Sequence, residues 1–228
     1  MQKLISAMTA IVVLFVCSLY SVQAQTEVPK FEIGAHYSYL SLGSLGLSFP
    51  PSPTFINFTQ AEKGVGGRAT FNLTNHIAIE SEINFFRNSR RFNTIAGLST
   101  TEYSREPGIQ GLFGPKIGIR TKKIGFFGKV RPGFLRYVHK IRFDLPNNVP
   151  AISSDYEYRT SAGFALDLGG VVEVYPSRHT VFRFDIGDTI IRYRTAYFNF
   201  DGTPLNNFPR QNFTNHNLQF NVGFGIRF

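Results

Sequence analysis

The sequence predicts an all-β fold, an eight-stranded antiparallel up-and-down transmembrane β-barrel with short periplasmic turns and long extracellular loops. Three observations lead to this prediction. Large apolar side chains recur at every second position in eight segments, which is the period of a β-strand. The connections between these segments alternate between short and long, as in transmembrane barrels. After Ala24, the chain has no apolar run near the ~18 residues that a membrane helix needs.

Residues 1–24 have the organisation of a secretory signal peptide. Lys3 precedes an apolar run that ends at the small-residue segment VQAQ, so we expect cleavage after Ala24 and a barrel domain over residues 25–228. An uncleaved N-terminal membrane anchor is the alternative. The single cysteine, Cys17, lies in this segment. The mature chain would therefore have no disulfide, thiol nucleophile or thiolate metal ligand.

The eight alternating segments have one apolar, phenylalanine-rich face and one face of Gly, Asn, Gln and charges of both signs. They are residues 31–40, 65–73, 77–86, 109–119, 124–134, 163–175, 181–187 and 217–228. A soluble lipocalin-like barrel or sandwich is the alternative, but its outer face would be rich in Lys, Glu and Ser. We therefore expect the apolar face to contact lipid and the polar face to line the lumen.

The connections between the eight segments fall into two length classes. Three are tight turns, at residues 74–76, 121–123 and 176–179. The other four are predicted to be long loops and carry Pro, Asn and Ser, at residues 43–59, 90–105, 140–155 and 196–213. With an even number of strands, this alternation places all tight turns at one end of the barrel.

The last nine residues, FNVGFGIRF, alternate in polarity and end on Phe228. This segment resembles the C-terminal signature of bacterial outer-membrane proteins, and the mature chain resembles the small eight-stranded barrels of the OmpA transmembrane domain, OmpX and Ail. The resemblance implies that the barrel-assembly machinery recognises the last strand, with Phe228 as the assembly signal. It also implies a bacterial outer-membrane location with both termini in the periplasm.

Charged residues on the polar face form a nearly balanced set of seven bases and six acids. An eight-stranded barrel is only wide enough for side chains to fill it, and unpaired charges outside bulk water are costly. We therefore predict an ion-pair network that plugs the lumen, while a charged pore lining or proton path is the alternative. The set comprises Glu32, Arg68, Glu80, Glu82, Lys116, Arg120, Lys129, Arg131, Asp167, Glu173, Arg183, Asp185 and Arg227.

The ends of the segments next to the long loops are strongly basic. The formal net charge of +9 favours an anionic lipid surface as partner over nucleic acid, which an exported chain rarely meets. Arginine binds phosphate through two hydrogen bonds at once, so these residues are candidates for contacts with lipopolysaccharide. They are Arg87, Arg90, Arg91, Arg136, Arg142, Arg192 and Arg194.

Asp188 breaks the pattern of the seventh segment, because unbroken alternation would turn its carboxylate toward lipid at a cost of a few kcal/mol. A β-bulge at Gly187 and Asp188 would reset the phase. We therefore predict that Asp188 points inward and that Thr189, Ile191 and Tyr193 point outward.

Residues for catalysis or metal binding are scattered. The five histidines do not occur in pairs at metal-ligand spacing, and they are His36, His76, His139, His179 and His216. No serine stands beside His216 in the sequence, and no Ser–His–acid set is evident. We expect no enzyme activity, no metal and no cofactor.

These observations predict a monomeric, non-enzymatic outer-membrane barrel that acts in envelope structure or surface interaction. Its expected partners are outer-membrane lipid and lipopolysaccharide, with the assembly machinery during biogenesis. A channel for small solutes or hydrophobic compounds, as in OmpW-like barrels, is the second hypothesis. A lipid-modifying enzyme is the third.

Overall fold

The computed structural model describes residues 28–47, 56–87, 89–93, 100–144, 156–199, 203–204 and 211–228. The predicted signal peptide lies outside the described residues. The described chain contains eleven strands: β1 (Phe31–Leu47), β2 (Ile56–Asn72), β3 (Ile77–Phe86), β4 (Ser89–Asn93), β5 (Thr100–Arg105), β6 (Gly108–Arg120), β7 (Ile124–Arg136), β8 (Val138–Asp144), β9 (Tyr156–Val174), β10 (Thr180–Asn199) and β11 (Gln211–Arg227). None of the described segments is a helix long and apolar enough to cross a bilayer.

The strands form one closed barrel of eight positions, all antiparallel. Their order is β1, β2, β3, β6, β7, β9, β10, β11 and back to β1. Beyond the lipid-facing part, three barrel positions are each continued by a second, shorter strand. β4 continues the position of β3, β5 that of β6, and β8 that of β7. Phe31 and Phe228 exchange two backbone hydrogen bonds of 2.9 Å where β1 closes on β11. The predicted eight-stranded barrel is confirmed.

The strands continue beyond the limits that the alternating pattern indicated. Residues 43–47, 56–59 and 90–93 belong to strands, although the sequence predicted loops there. The same correction applies to residues 100–105, 140–144, 196–199 and 211–213. Apolar alternation reports contact with lipid, whereas the hydrogen-bond ladder continues into the polar region beyond it. We call this end of the barrel the loop end, and the end with the tight turns and Phe228 the turn end.

The outer face of the barrel is an apolar band. Phe113, Phe224 and Ile226 keep 58–59% of their surface exposed, and aromatic and branched aliphatic residues surround the barrel at alternate positions. A contiguous apolar surface of this extent is not found on soluble monomers. The barrel therefore has the outer surface of a protein embedded in lipid.

The interior changes character toward the loop end, which the sequence analysis did not foresee. On β7, the buried charge of Arg131 is followed by buried Leu135 and then by Tyr137, just beyond the strand. On β10, Asp185 is followed by Ile191 and Tyr193. The apolar residues among them belong to one cluster, formed by Leu40, Leu42, Phe86, Leu112, Leu135, Tyr137, Ala165, Ile191 and Tyr193. The lumen is thus mainly polar near the turn end and mainly hydrophobic near the loop end.

Two glycines make room for a buried histidine where the barrel closes. His36 on β1 is paired with Gly223 on β11 and with Gly66 on β2. A Cβ atom at Gly223 would overlap the carbonyl oxygen of Ala35 and the Cβ of His36. The absence of a side chain at this position is therefore a packing requirement of the closure.

We predict that Gly223→Ala destabilises the barrel by about 1–3 kcal/mol, because the added methyl group overpacks the contact between β1 and β11. Urea unfolding of the protein refolded in lipid vesicles measures the effect. Gly67→Ala is the matched control, since a Cβ there would lie 3.9 Å from the carbonyl oxygen of Gly34, an ordinary van der Waals contact. Equal unfolding midpoints for the two variants would contradict the packing argument.

Candidate functional site

All thirteen charges of the predicted network lie inside the barrel. They come from all eight barrel positions, and the side chains in the ion pairs are at most 6% exposed. Strand alternation explains this placement, because each charge occupies the phase opposite to the apolar residues of its own strand. Alternation does not determine which charges of different strands contact each other.

Glu80 of β3 lies at the centre of the network. Its carboxylate accepts hydrogen bonds from the guanidinium groups of Arg131 on β7, at 2.5 Å, and Arg183 on β10, at 2.7 Å. The Nζ atom of Lys116 is 3.8 Å away and the Nε atom of Arg68 is 4.0 Å away. One carboxylate therefore links side chains from five barrel positions.

Arg131 is fully buried and donates hydrogen bonds to three acids. Its Nη1 atom donates to Glu82 at 2.8 Å as well as to Glu80. Its Nε and Nη2 atoms both donate to one oxygen of Asp167, at 2.8 and 2.6 Å. Charge-assisted bonds of this kind are among the stronger hydrogen bonds in proteins. Arg131 thereby connects β3 and β9 through the interior.

The remaining central charges continue the same network. Lys129 contacts Asp167 at 2.7 Å and also Asp185. Lys116 donates to Glu173 at 2.6 Å. Arg183 contacts Glu173 at 3.3 Å in addition to Glu80.

Glu32 is the centre of a second group near the turn end. It accepts from Arg227 at 3.1 Å and from the Asn72 amide at 2.9 Å, and Arg120 lies 3.4 Å away. Arg227 also lies over the ring of Tyr175, 4.1 Å from its centroid. This group closes the interior at the turn end.

Tyr175 connects the two groups, and the sequence analysis did not select it as a site residue. Its hydroxyl donates to Glu173 at 2.6 Å and accepts from Arg120 at 2.9 Å. Its position two residues after Glu173 is the available signal, because residues at that spacing share a strand face. Glu62 is a second buried acid outside the predicted set, and it shares the inward phase of Arg68 on β2.

Amide side chains and His36 extend the network from Glu82. Asn84 and Asn221 donate to Glu82 at 2.9 and 3.0 Å. The Nε2 atom of His36 lies 2.6 Å from the Asn84 side-chain oxygen and 3.7 Å from Glu82. Gln110 and Gln219 continue this chain toward the apolar cluster.

Glu80, Glu82 and Asp185 bring carboxylate oxygens within 4.8 Å of one another, which is a geometry compatible with metal binding. The protein's own cations already occupy this position. Arg131 contacts all three acids, and Arg183 contacts two of them. A metal ion would have to displace these guanidinium groups, so the arrangement fits an ion-pair network better than a metal centre.

The basic residues of the loop end lie on the outer surface, directly beyond the apolar band. Arg87 follows the outward Phe85, and Arg136 follows the outward Phe134. Arg192 and Arg194 are exposed on β10. The side chains of Arg90, Arg91 and Arg142 lie outside the described residues, although their backbones belong to β4 and β8.

The predicted bulge at Gly187 and Asp188 is wrong. Residues 180–195 of β10 pair with β11 in unbroken register, and the irregularity against β9 falls between Ile191 and Tyr193. Asp188 consequently faces outward, whereas the interior holds Thr189, Ile191 and Tyr193. Asp188 tolerates this position because it pairs with His216 of β11, at 2.5 Å. The sequence of one strand does not reveal a partner on the next.

Comparison with known proteins identifies the family. The outer membrane protein beta-barrel domain matches residues 9–228. The chain belongs to this family. No curated protein matches it.

Solved structures similar to this family member are bacterial outer-membrane barrels. Ail of Yersinia pestis has 12% identity and a TM-score of 0.44, with coverage of 88% of this chain and 99% of Ail. OprG of Pseudomonas aeruginosa has 14% identity and a TM-score of 0.50, with coverage of 88% and 96%. Neisserial surface protein A has 11% identity and a TM-score of 0.41, with coverage of 87% and 97%. Family membership places the protein in the bacterial outer membrane.

We predict strong coupling between Glu80 and Arg183. Arg183→Ala or Glu80→Ala alone should destabilise the barrel by about 3–5 kcal/mol, because each leaves an uncompensated buried charge. The double variant should lose less than the sum of the two single changes. Urea unfolding in lipid vesicles measures all three values.

Arg178→Ala is the control for this cycle. Arg178 is exposed in a turn, so its replacement should change the unfolding free energy by less than about 0.5 kcal/mol. Strictly additive losses for Glu80 and Arg183 would show that the two side chains are not energetically coupled.

Proposed function

We propose that this family member is a non-enzymatic, non-conducting outer-membrane barrel that acts in envelope structure or surface interaction. The observation that carries the proposal is the buried network centred on Glu80, Arg131 and Arg183. These side chains are at most 1% exposed and link strands on opposite sides of the lumen. In a barrel of eight strands, side chains of this size fill the cross-section. The network therefore acts as a plug.

A channel for small solutes or hydrophobic compounds is the second candidate. The apolar cluster at the loop end, which includes Leu40, Leu135 and Tyr193, favours it because this part of the lumen suits apolar groups. A compound crossing the whole barrel would, however, have to separate the ion pairs around Glu80. Breaking paired buried charges is costly, so we rank the channel below the plug.

A lipid-modifying enzyme is the third candidate. Asp188 and His216 form an acid–histidine pair on the outer face, but catalysis by acyl transfer also requires a nucleophile beside the histidine. Ser41 of β1 is paired with Leu218. The register therefore places this serine opposite Leu218 rather than opposite His216, and we retain the non-enzymatic function.

The proposed orientation places the loop end outside the cell and both termini in the periplasm. The exposed Arg87, Arg136, Arg192 and Arg194 would then lie at the level of lipid headgroups, directly beyond the apolar band. Their guanidinium groups suit the phosphates of lipopolysaccharide, and we include Arg90, Arg91 and Arg142 in this surface from their sequence positions. The protein acts as a monomer and needs no cofactor.

Planar-bilayer recording tests the plug directly. The refolded wild-type protein should show no steady conductance, because the ion-pair network blocks the lumen. Heat-modifiable migration on gels verifies that the same preparation is folded. A reproducible open channel, with ion selectivity altered by Arg131→Ala, would overturn the plug and favour the channel.

We propose that Phe228 is the assembly signal read by the barrel-assembly machinery. Phe228→Asp should reduce the amount of folded barrel in the outer membrane, because the last strand must pair with the first to leave no open edge in lipid. Heat-modifiable migration of outer-membrane fractions measures the amount of folded barrel. Phe113→Leu, on the same apolar band, is the control. Wild-type levels of the Phe228→Asp variant would contradict this function.

A further inference from the structure

The pair formed by Asp188 and His216 is a polar interruption of the apolar outer face. On the same face, the neighbouring Ile186 and Leu218 are 53% and 54% exposed. Asp188 is directly opposite Leu218 in the β10–β11 register. An ionisable group on the lipid face of a barrel is destabilising, and ionisable residues within membranes commonly mark functional sites. The pair therefore needs an explanation beyond packing.

Asp188 fixes the ring of His216. The Nδ1 atom of His216 lies 2.5 Å from Oδ2 of Asp188, and the other carboxylate oxygen accepts the backbone N–H of Asn217 at 3.1 Å. A carboxylate is an acceptor only, so Nδ1 carries the proton that joins the pair. The His216 side chain is 71% exposed, and its second nitrogen, Nε2, remains for a ligand.

Two arginines continue the same column toward the loop end. On β10 and β11, His216 is opposite Ile190, Thr214 is opposite Arg192, and Asn212 is opposite Arg194. Arg192, Arg194 and Thr214 are exposed, and their alternation with less exposed residues places them on the same outer face as His216. Arg192 and His216 are diagonal neighbours across the two strands, a relationship that places residues about 7–8 Å apart. The side chain of Arg192 is therefore long enough to share a ligand with His216.

We propose that His216, Arg192 and Thr214 form a binding site for a phosphate group of an outer-leaflet lipid, with Asp188 as a positioning residue. In the imidazolium form both ring nitrogens donate, so Nδ1 can bond to Asp188 while Nε2 donates to the ligand. Nε2, the guanidinium group and the threonine hydroxyl then present donors to one anion. The occupant is the phosphorylated headgroup of lipid A, because the site borders the apolar band that holds its acyl chains. This site rests on the proposed contact between the basic loop end and lipopolysaccharide.

Lipid binding to the full-length protein, refolded in detergent and followed by native mass spectrometry, tests the site. The probes are bis-phosphorylated lipid A, the same lipid after enzymatic removal of its phosphates, and inorganic phosphate. Wild-type protein should bind the phosphorylated lipid at least tenfold more tightly than the dephosphorylated lipid. His216→Gln and Arg192→Gln should each weaken binding of the phosphorylated lipid by about tenfold and leave the dephosphorylated lipid unaffected.

Asp188 has a distinct expected signature. Asp188→Asn should weaken binding about threefold to tenfold, and Asp188→Glu should restore part of it, because a carboxylate again faces His216. Nitrogen-15 NMR of His216 should show a larger change in the Nε2 signal for the wild type than for Asp188→Asn at the same lipid A concentration. Arg178→Gln, in a turn at the opposite end, is the control and should bind as the wild type does. Heat-modifiable migration verifies that every variant is folded.

Three results would overturn the site. Equal binding of phosphorylated and dephosphorylated lipid A would show that phosphate is not recognised. Competition by inorganic phosphate at the same concentration as the lipid would show a free-anion site instead. Loss of an acyl chain from lipid A, seen as a mass decrease that Asp188→Asn abolishes, would show hydrolysis rather than binding. A conducting wild-type barrel would refute the plug but leave each of these binding results interpretable.

Discussion

The neutralisation of charge inside a closed barrel is the constraint on which this structure depends. Every barrel position contributes at least one charged side chain to the lumen, and the pair of Glu80 and Arg183 connects opposite sides. Buried charges are stable only where partners and hydrogen bonds satisfy them. Closure of β1 on β11 brings Glu32 to Arg227. The backbone hydrogen bonds between these strands and the ion-pair network inside the barrel therefore stabilise each other.

The two faces of the sheet satisfy opposite requirements. Lipid demands an apolar outer face and a backbone without open edges, which the closed ladder and the phenylalanine-rich band provide. The inner face has neither bulk water nor lipid, so its charged side chains pair with one another. Near the turn end it is satisfied by ion pairs, and near the loop end by the apolar cluster around Leu135 and Tyr193. A lumen built in this way is a second core, and this is the physical basis for the proposed plug.

The outer face departs from its apolar rule at Asp188 and His216, which border the basic residues of the loop end. The two proposals of function therefore use different surfaces of one barrel. The filled lumen argues against transport, whereas the outward pair and the arginines beyond it suit recognition of anionic lipid. A barrel with a filled lumen and an outer surface that recognises anionic lipid is consistent with a role at the envelope surface.

The sequence by itself determined the barrel, the apolar band and the inward placement of the thirteen charges. These properties follow from a period of two residues along each strand, which is local information. The tertiary structure decided which charges meet: Arg183 contacts Glu173 of the neighbouring strand, as the sequence allowed, but its main partner is Glu80 across the lumen. It also decided that Asp188 faces outward, because His216 of β11 supplies a partner that β10 alone does not reveal. Pairing between strands depends on register and closure, and these are properties of the whole sheet rather than of any one segment.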